Sequence, residues 1–326
     1  MQTRVLGKDL AVSAVGLGCM GMTHAYGAPS DVKEMEALLA QAVELGCTFF
    51  DTAECYIGQN PDGSTAYNEE LVGEGLKPYR DKLVIASKFG VRHVGKALEM
   101  DSRPETIRKS IEGSLKRLQT DHIDLYYQHR VDPNVPVEEV AGVMADLIRE
   151  GKITHWGISE ATEEIIRKAH AVCPLTAVQN RYSMMARDYE NLFPVLEELN
   201  VALVAFSPLA NGFLSGRYTK DSKFEQGIDF RSFMPQFTAQ GMEDNRPLLE
   251  LVRGMAEEKN ATPAQISLAW MICKKTWIVP IPGTRKSHRL IENLGAADVE
   301  LTTEEVQKLD NALDAMGPAQ VYGVRR

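Results

Sequence analysis

The chain lacks any apolar run approaching the roughly 18 residues that a membrane-spanning helix requires. Its opening stretch, "MQTRVLGKDL", has no apolar segment of the kind that marks a secretory leader. Cysteine is scarce: Cys19, Cys47, Cys55, Cys173 and Cys273 are odd in number and never form a C-x-x-C pair, which argues against a disulfide framework or a zinc site. Reduced thiols in a cytoplasm are the expectation. Positive charge is in deficit, with 36 Lys and Arg against 45 Asp and Glu, a formal net charge of -9. Nonspecific binding to nucleic acid or to an anionic membrane needs a positive field and is therefore disfavoured. Any phosphate the protein binds must meet a local cluster of cations. Internal repeats, low-complexity tracts and linkers are also missing.

What remains is ordinary globular composition, 44% hydrophobic and 25% charged over 326 residues, enough for one large domain with a sizeable core. "TRVLGKDLAVS" reads as two short strands around the turn "GKD". After it, eight β-branched or aromatic runs alternate with helical patterns. The runs are Val15 to Gly18, Thr48 to Asp51, Leu83 to Lys88, Ile123 to His129, Ile153 to Ser159, Thr176 to Gln179, Val201 to Ser207 and Trp277 to Ile281. Ser30 or Asp31 is an N-cap ahead of the first helix, Gly46 its stop, and Pro104 and Pro263 fall at first helical positions. Strand then helix, eight times, predicts an α/β fold, a (β/α)8 TIM barrel occupying residues 1–326 as a single domain, ahead of an open doubly wound sheet. From Pro208 to Asn245 the rhythm breaks into a long segment without periodicity; after strand seven, such a loop is expected to act as a lid or binding loop.

In a barrel, residues at the C-terminal ends of the strands line the active site. Strand two ends on Asp51 with Tyr56 in the following loop, strand three on Lys88 and strand four on His129. Singly, each has an ordinary structural explanation; together on adjacent strands they suggest proton transfer. A neighbouring ammonium such as Lys88, held charged by Asp51, is expected to lower the pKa of the Tyr56 phenol, with His129 orienting the same substrate oxygen. Further on, "VPIPGTRKSHRLIENL" brings Gly283, Thr284, Arg285, Lys286 and Arg289 to a helix start, a pattern suited to phosphate. Arg285 with Lys286 suits the 2′-phosphate of NADP better than a bare ribose. "GLGCMG" matches G-x-G-x-x-G literally, but "MTHAYGAP" follows it in place of a helix, so it fails the context a Rossmann turn requires. Its glycines are expected instead to bring strand one close to a coenzyme.

These segments resemble the aldo-keto reductase superfamily along essentially the whole chain. The resemblance is carried by "GLGCMGM", "FFDTAECYIG" with "NEELVGEGL", "ASKFG", "DLYYQHRVDP" and "IPGTRK". "QHRVDP" and "GISEA" are similar to the branch containing pyridoxal reductases and potassium channel β subunits. The resemblance implies a tetrad of Asp51, Tyr56, Lys88 and His129, with Tyr56 as general acid. It implies NADP(H) as coenzyme, its carboxamide held by Ser159 and Gln179 and its ring stacked on Phe206. Gly18, Met20, Ser207, Pro208, Leu209, Gly212 and Leu214 would follow the coenzyme toward the pyrophosphate. Arg285 would take the 2′-phosphate, with Arg289, Glu292 and Asn293 around the adenine. Glu160 departs from the Asn found in many relatives, and the segment after Tyr56 is longer than the compact family form.

The function this implies is NADPH-dependent reduction of an aldehyde or ketone to an alcohol, without a metal. Strand-end position adds Met22, Tyr26, Cys55 and Arg130 as pocket residues. The partner is a small carbonyl compound, with a homo-oligomer left open. Two other readings stand beside it: a Schiff-base aldolase using Lys88, and a sensor that holds the coenzyme with little turnover.

Overall fold

The computed structural model describes residues 1–94 and 97–321. Eight parallel strands form one sheet: β1 (Leu17–Gly18), β2 (Phe49–Asp51), β3 (Val84–Phe89), β4 (Ile123–Gln128), β5 (Ile153–Ser159), β6 (Ala177–Arg181), β7 (Ala202–Phe206) and β8 (Ile278–Pro280). Each pairs with its sequence neighbours. The two ends of the sheet then meet. Gly16 N donates to Pro280 O at 3.0 Å, and Gly18 forms a parallel bridge with Gly283. The sheet thus closes into the (β/α)8 barrel expected from the alternation. The seam needs glycine: a Cβ on Gly18 would lie 2.8 Å from Ile281 O, and one on Gly283 would lie 2.8 Å from Gly18 O.

Burial separates the two faces of each strand. Phe49, Val84, Ala86, Leu125, Tyr127, Ala177, Ala202, Val204 and Val279 pack inside the barrel, while Phe50, Ile85, Tyr126, Trp156, Ile158 and Val178 pack outward under the helices. The N-terminal hairpin (Thr3–Leu6 with Leu10–Ser13) lends Leu6, Leu10 and Val12 to the inner cluster and plugs the barrel floor. Its turn, Gly7 to Asp9, starts at a left-handed Gly7.

The helices obey their local signals. Asp31 caps the helix Val32–Glu44 by accepting from Glu34 N, and Thr262 forms a capping box with Gln265 ahead of Pro263–Lys274. Pro104 opens Pro104–Leu118. No helix follows directly after Gly16–Gly21; a short 3-10 turn, Met20–Met22, stands there instead, in keeping with the failed Rossmann context.

Three features of the loops went unforeseen. A hairpin (Ile57–Gln59 with Thr65–Tyr67) follows β2, and another (Val91–Val94 with Ala97–Met100) follows β3. The segment after β7, expected as irregular loop, contains short 3-10 turns at Ala210–Ser215, Phe230–Phe233 and Pro235–Phe237 and the helix Ala239–Asp244. No helix of the described residues is long and apolar enough to cross a membrane.

Candidate active site

Strand parity aims the site residues. Side chains alternate across a strand, so Asp51 follows Phe49 inward, Lys88 follows Val84 and Ala86, and His129 follows Leu125 and Tyr127. Gln179 follows Ala177 and Phe206 follows Ala202 and Val204 in the same way. Above the last apolar layer the barrel axis is therefore lined by polar groups. Lys88 and Asp51 are almost wholly buried there, with Lys88 Nζ donating to Asp51 Oδ1 at 2.5 Å. The same ammonium donates to Thr52 O at 2.7 Å and reaches Tyr56 Oη at 3.2 Å. Its three protons thus have three acceptors. Burial pulls the Lys88 pKa down, but Asp51 and the Tyr56 oxygen outweigh it and the net shift is upward.

Tyr56 corrects one expectation. Its phenol was expected to be acidified by Lys88; instead burial raises its pKa to about 12, with the Lys88 ammonium lowering it only in part. Asp51 also raises it, opposing the field of Lys88. The tyrosine is a protonated donor at neutral pH. His129 is edge-on to the Tyr56 ring, with centroids 5.7 Å apart, and its Nδ1 lies 3.4 Å from Cys55 Sγ. Burial, then the Lys88 and Arg130 charges, hold its pKa well below the usual imidazole range, so it is neutral. Cys55, expected on the pocket wall, is buried beside that ring, and its thiol is pushed up to about 12.

The coenzyme candidates divide. Ser159 and Gln179 are paired in register on β5 and β6. Gln179 Nε2 donates to Asp51 Oδ2 at 2.7 Å, tying it to the tetrad. Beyond β7, Ser207, Ala210, Asn211 and Gly212 all adopt positive φ, so the chain turns sharply past Pro208 and Leu209. Leu214 is fully buried beneath this turn. Near β8, Arg285 does not stand free: its guanidinium donates to Tyr26 O, Ala28 O and Ser30 Oγ. Glu292 pairs with Arg217 at 2.8 Å, and Asn293 is buried. Thr284 Oγ1 accepts from the backbone N of Lys286, whose side chain is exposed. Arg289 Nε is buried without a hydrogen-bond partner. An anion at this helix start would satisfy it, so the residues present fit a dinucleotide phosphate.

One pocket expectation changes. Met22 is wholly buried in the outer core and takes no part in the cleft surface, because the turn Met20–Met22 points it inward under the first helix. Arg130 donates to Ser159 Oγ at 3.1 Å and pairs with Glu160 at 3.2 Å. Tyr26 belongs to the roof: its hydroxyl accepts from Asn211 Nδ2, its backbone bridges Asp229, and the Arg231 guanidinium lies 5.3 Å from its ring.

Sequence reasoning missed several contributors. His24 stacks on Tyr56 at 6.2 Å and neighbours His93 and Phe230 at the cleft edge. Asn68 is buried, donates its side-chain amide to Cys19 O and Thr23 Oγ1, and donates its backbone N–H to Tyr56 O, so it fixes the loop that carries the tyrosine. "NEE" directly after a strand-end loop was its visible trace. Asp229 and Arg231 carried no such trace, since the Tyr26 they meet lies on a distant loop.

The family model for the aldo/keto reductase family matches residues 14–314. The chain belongs to this family. Aldo-keto reductases are oxidoreductases that reduce carbonyl compounds with a nicotinamide coenzyme. "Probable aldo-keto reductase 1" from Glycine max is 40% identical over 308 residues, covering 93% of this chain and 86% of its own. The glycerol dehydrogenase AKR11B4 from Gluconobacter oxydans has a similar structure (TM-score 0.84, 27% identity), with 99% of this chain and 98% of that one covered. So does the holo form of the aldo-keto reductase AKR11C1 from Bacillus halodurans (TM-score 0.78, 26% identity, 99% of both chains).

Proposed function

We propose that the protein is an NADPH-dependent aldo-keto reductase in which Tyr56 protonates the carbonyl oxygen of a small aldehyde or ketone. The observation that carries this reading is the Tyr56 hydroxyl 3.2 Å from an ammonium already clamped by Asp51 and Thr52 O. When bound, the reduced nicotinamide supplies a hydride to the carbonyl carbon. Tyr56 donates its proton to the oxygen as negative charge builds there, and Lys88 stabilises the phenolate left behind. Neutral His129 orients the carbonyl through a hydrogen bond. A phenol with a raised pKa is a weak acid at rest, which suits a donor that gives up its proton only when an alkoxide forms beside it.

Ser159 and Gln179 would hold the carboxamide of the coenzyme, Phe206 would lie against its ring, and Arg285, Lys286 and Arg289 would take its 2′-phosphate. The long segment after β7 would cover the pyrophosphate. All five cysteines are free, which fits a cytoplasmic setting. The aldolase alternative needs a neutral Lys88; a raised pKa and three acceptors on its ammonium oppose that.

The test is fluorescence titration with NADPH and with NADH, followed by an aldehyde and ketone panel read at the nicotinamide absorbance. Tighter NADPH binding with turnover supports the reading. Binding without turnover would favour the sensor instead, and a covalent borohydride adduct at Lys88 the aldolase.

A further inference from the structure

We propose that Arg130 is a positioning residue that sets the hydrogen-bond polarity of the carboxamide subsite, making Ser159 a committed donor opposite Gln179 as a committed acceptor. This rests on the coenzyme reading above.

A guanidinium carries N–H donors and no acceptor. Arg130 Nη1 lies 3.1 Å from Ser159 Oγ, so the serine oxygen accepts there and its own proton must go elsewhere. Among the described residues no acceptor takes that proton, although Ser159 is 1% exposed. An acceptor in the cleft would receive it. Across the β5–β6 pair the opposite holds. Asp51, ion-paired with Lys88, accepts from the Gln179 group 2.7 Å away, which is therefore the NH2 end, so the other end, Oε1, is an acceptor. A donor on β5 and an acceptor on β6, paired in register, match the C=O and NH2 of a primary carboxamide in one orientation. The reverse orientation would set N–H against N–H and oxygen against oxygen.

Arg130 is itself held on two further sides. Nη1 donates to His129 O at 2.6 Å, and Nε pairs with Glu160 at 3.2 Å. Glu160 takes a positive φ, and its backbone N donates to Asn180 Oδ1 at 2.9 Å. A non-glycine residue in that conformation costs conformational energy, and here it aims the carboxylate at Arg130. Thus the guanidinium is fixed before any ligand arrives.

The experiment is a titration of the purified full chain with NADPH and with the 3-acetylpyridine analogue, which keeps the C=O and replaces NH2 with methyl. Arg130→Met is expected to weaken both ligands by about tenfold, the size of one hydrogen bond involving a charged group. Arg130→Lys, still a donor-only cation, recovers part of the loss. Ser159→Ala weakens both similarly, and adding Arg130→Met to it costs nothing more. Thermal melting separates these effects from misfolding. Wild-type affinity in a folded Arg130→Met protein, or losses that add in the double variant, would overturn the role of Arg130 while leaving the reductase reading intact. Failure of the wild-type chain to bind either dinucleotide would overturn the coenzyme reading, and this inference with it.

Discussion

Lys88 makes three hydrogen bonds with its three protons, and each one restricts what its neighbours can do. Asp51 keeps it charged, Thr52 O fixes its direction, and the Tyr56 oxygen receives what remains. A buried ammonium that lost its carboxylate would leave an uncompensated charge, so Asp51→Asn is expected to lower activity and stability together. Tyr56→Phe should leave coenzyme affinity unchanged and reduce turnover by about 10²-fold or more, the usual contribution of a general acid. Unchanged turnover would remove Tyr56 from the proton transfer. The pH profile follows from the signs of the shifts. Tyr56, raised to about 12, stays protonated through the neutral and alkaline range, and His129, held well below its usual value, is already neutral at pH 6.5. Reduction rates under coenzyme saturation should therefore show no inflection between about pH 6.5 and 10. A break near the ordinary histidine pKa would contradict a neutral His129.

Among the elements, the segment after β7 is held down by contacts that lie on a different loop. Phe230 N donates to Ala25 O at 3.0 Å, Asp229 bridges Tyr26, and the Arg231 guanidinium lies 5.3 Å from the Tyr26 ring, while within the segment it pairs with Asp229 and lies 4.7 Å from the Phe224 ring. Arg231→Ala removes the ion pair and the cation–aromatic contacts together. Limited proteolysis should then cut between residues 217 and 237 faster, and dinucleotide release measured by stopped-flow should accelerate. Equal cleavage rates would mean that Arg231 does not hold the segment down. The barrel seam makes a second prediction at this scale. Gly18→Ala places a methyl 2.8 Å from Ile281 O, and the resulting crowding is expected to cost about 1–3 kcal/mol in denaturant unfolding. No loss would mean that β1 and β8 can part without consequence.

For the whole molecule, burial sorts the thiols. Cys19, Cys47, Cys55 and Cys173 are buried and Cys273 is exposed. A thiol reagent should titrate one group in the native protein and all five after unfolding, and reductant should leave the melting curve unmoved. More than one fast-reacting thiol in the native state would show the barrel to be more open than described.

Much of this architecture was legible in the sequence because it is periodic and local. The eight strands, Asp31 as a cap and Pro104 and Pro263 as helix starts depend on alternation and on side chains a few residues apart. Asp51, Lys88 and His129 were found because an apolar run that ends on a polar residue marks a strand end. The pKa of Tyr56 was not legible, since it is set by how deeply the barrel wall encloses the ring, and that wall comes from many strands. Met22 could not be separated from the pocket either, because a turn decides which way it points. Nor could Arg130 be aimed at Ser159, 29 residues away, or Arg231 at Tyr26. By itself the sequence determined the order of elements, the parity of each strand and the chemical inventory at one end of the barrel. Tertiary structure alone decided which of those groups share protons, because hydrogen bonds and desolvation depend on distances that only the closed barrel and its folded loops establish.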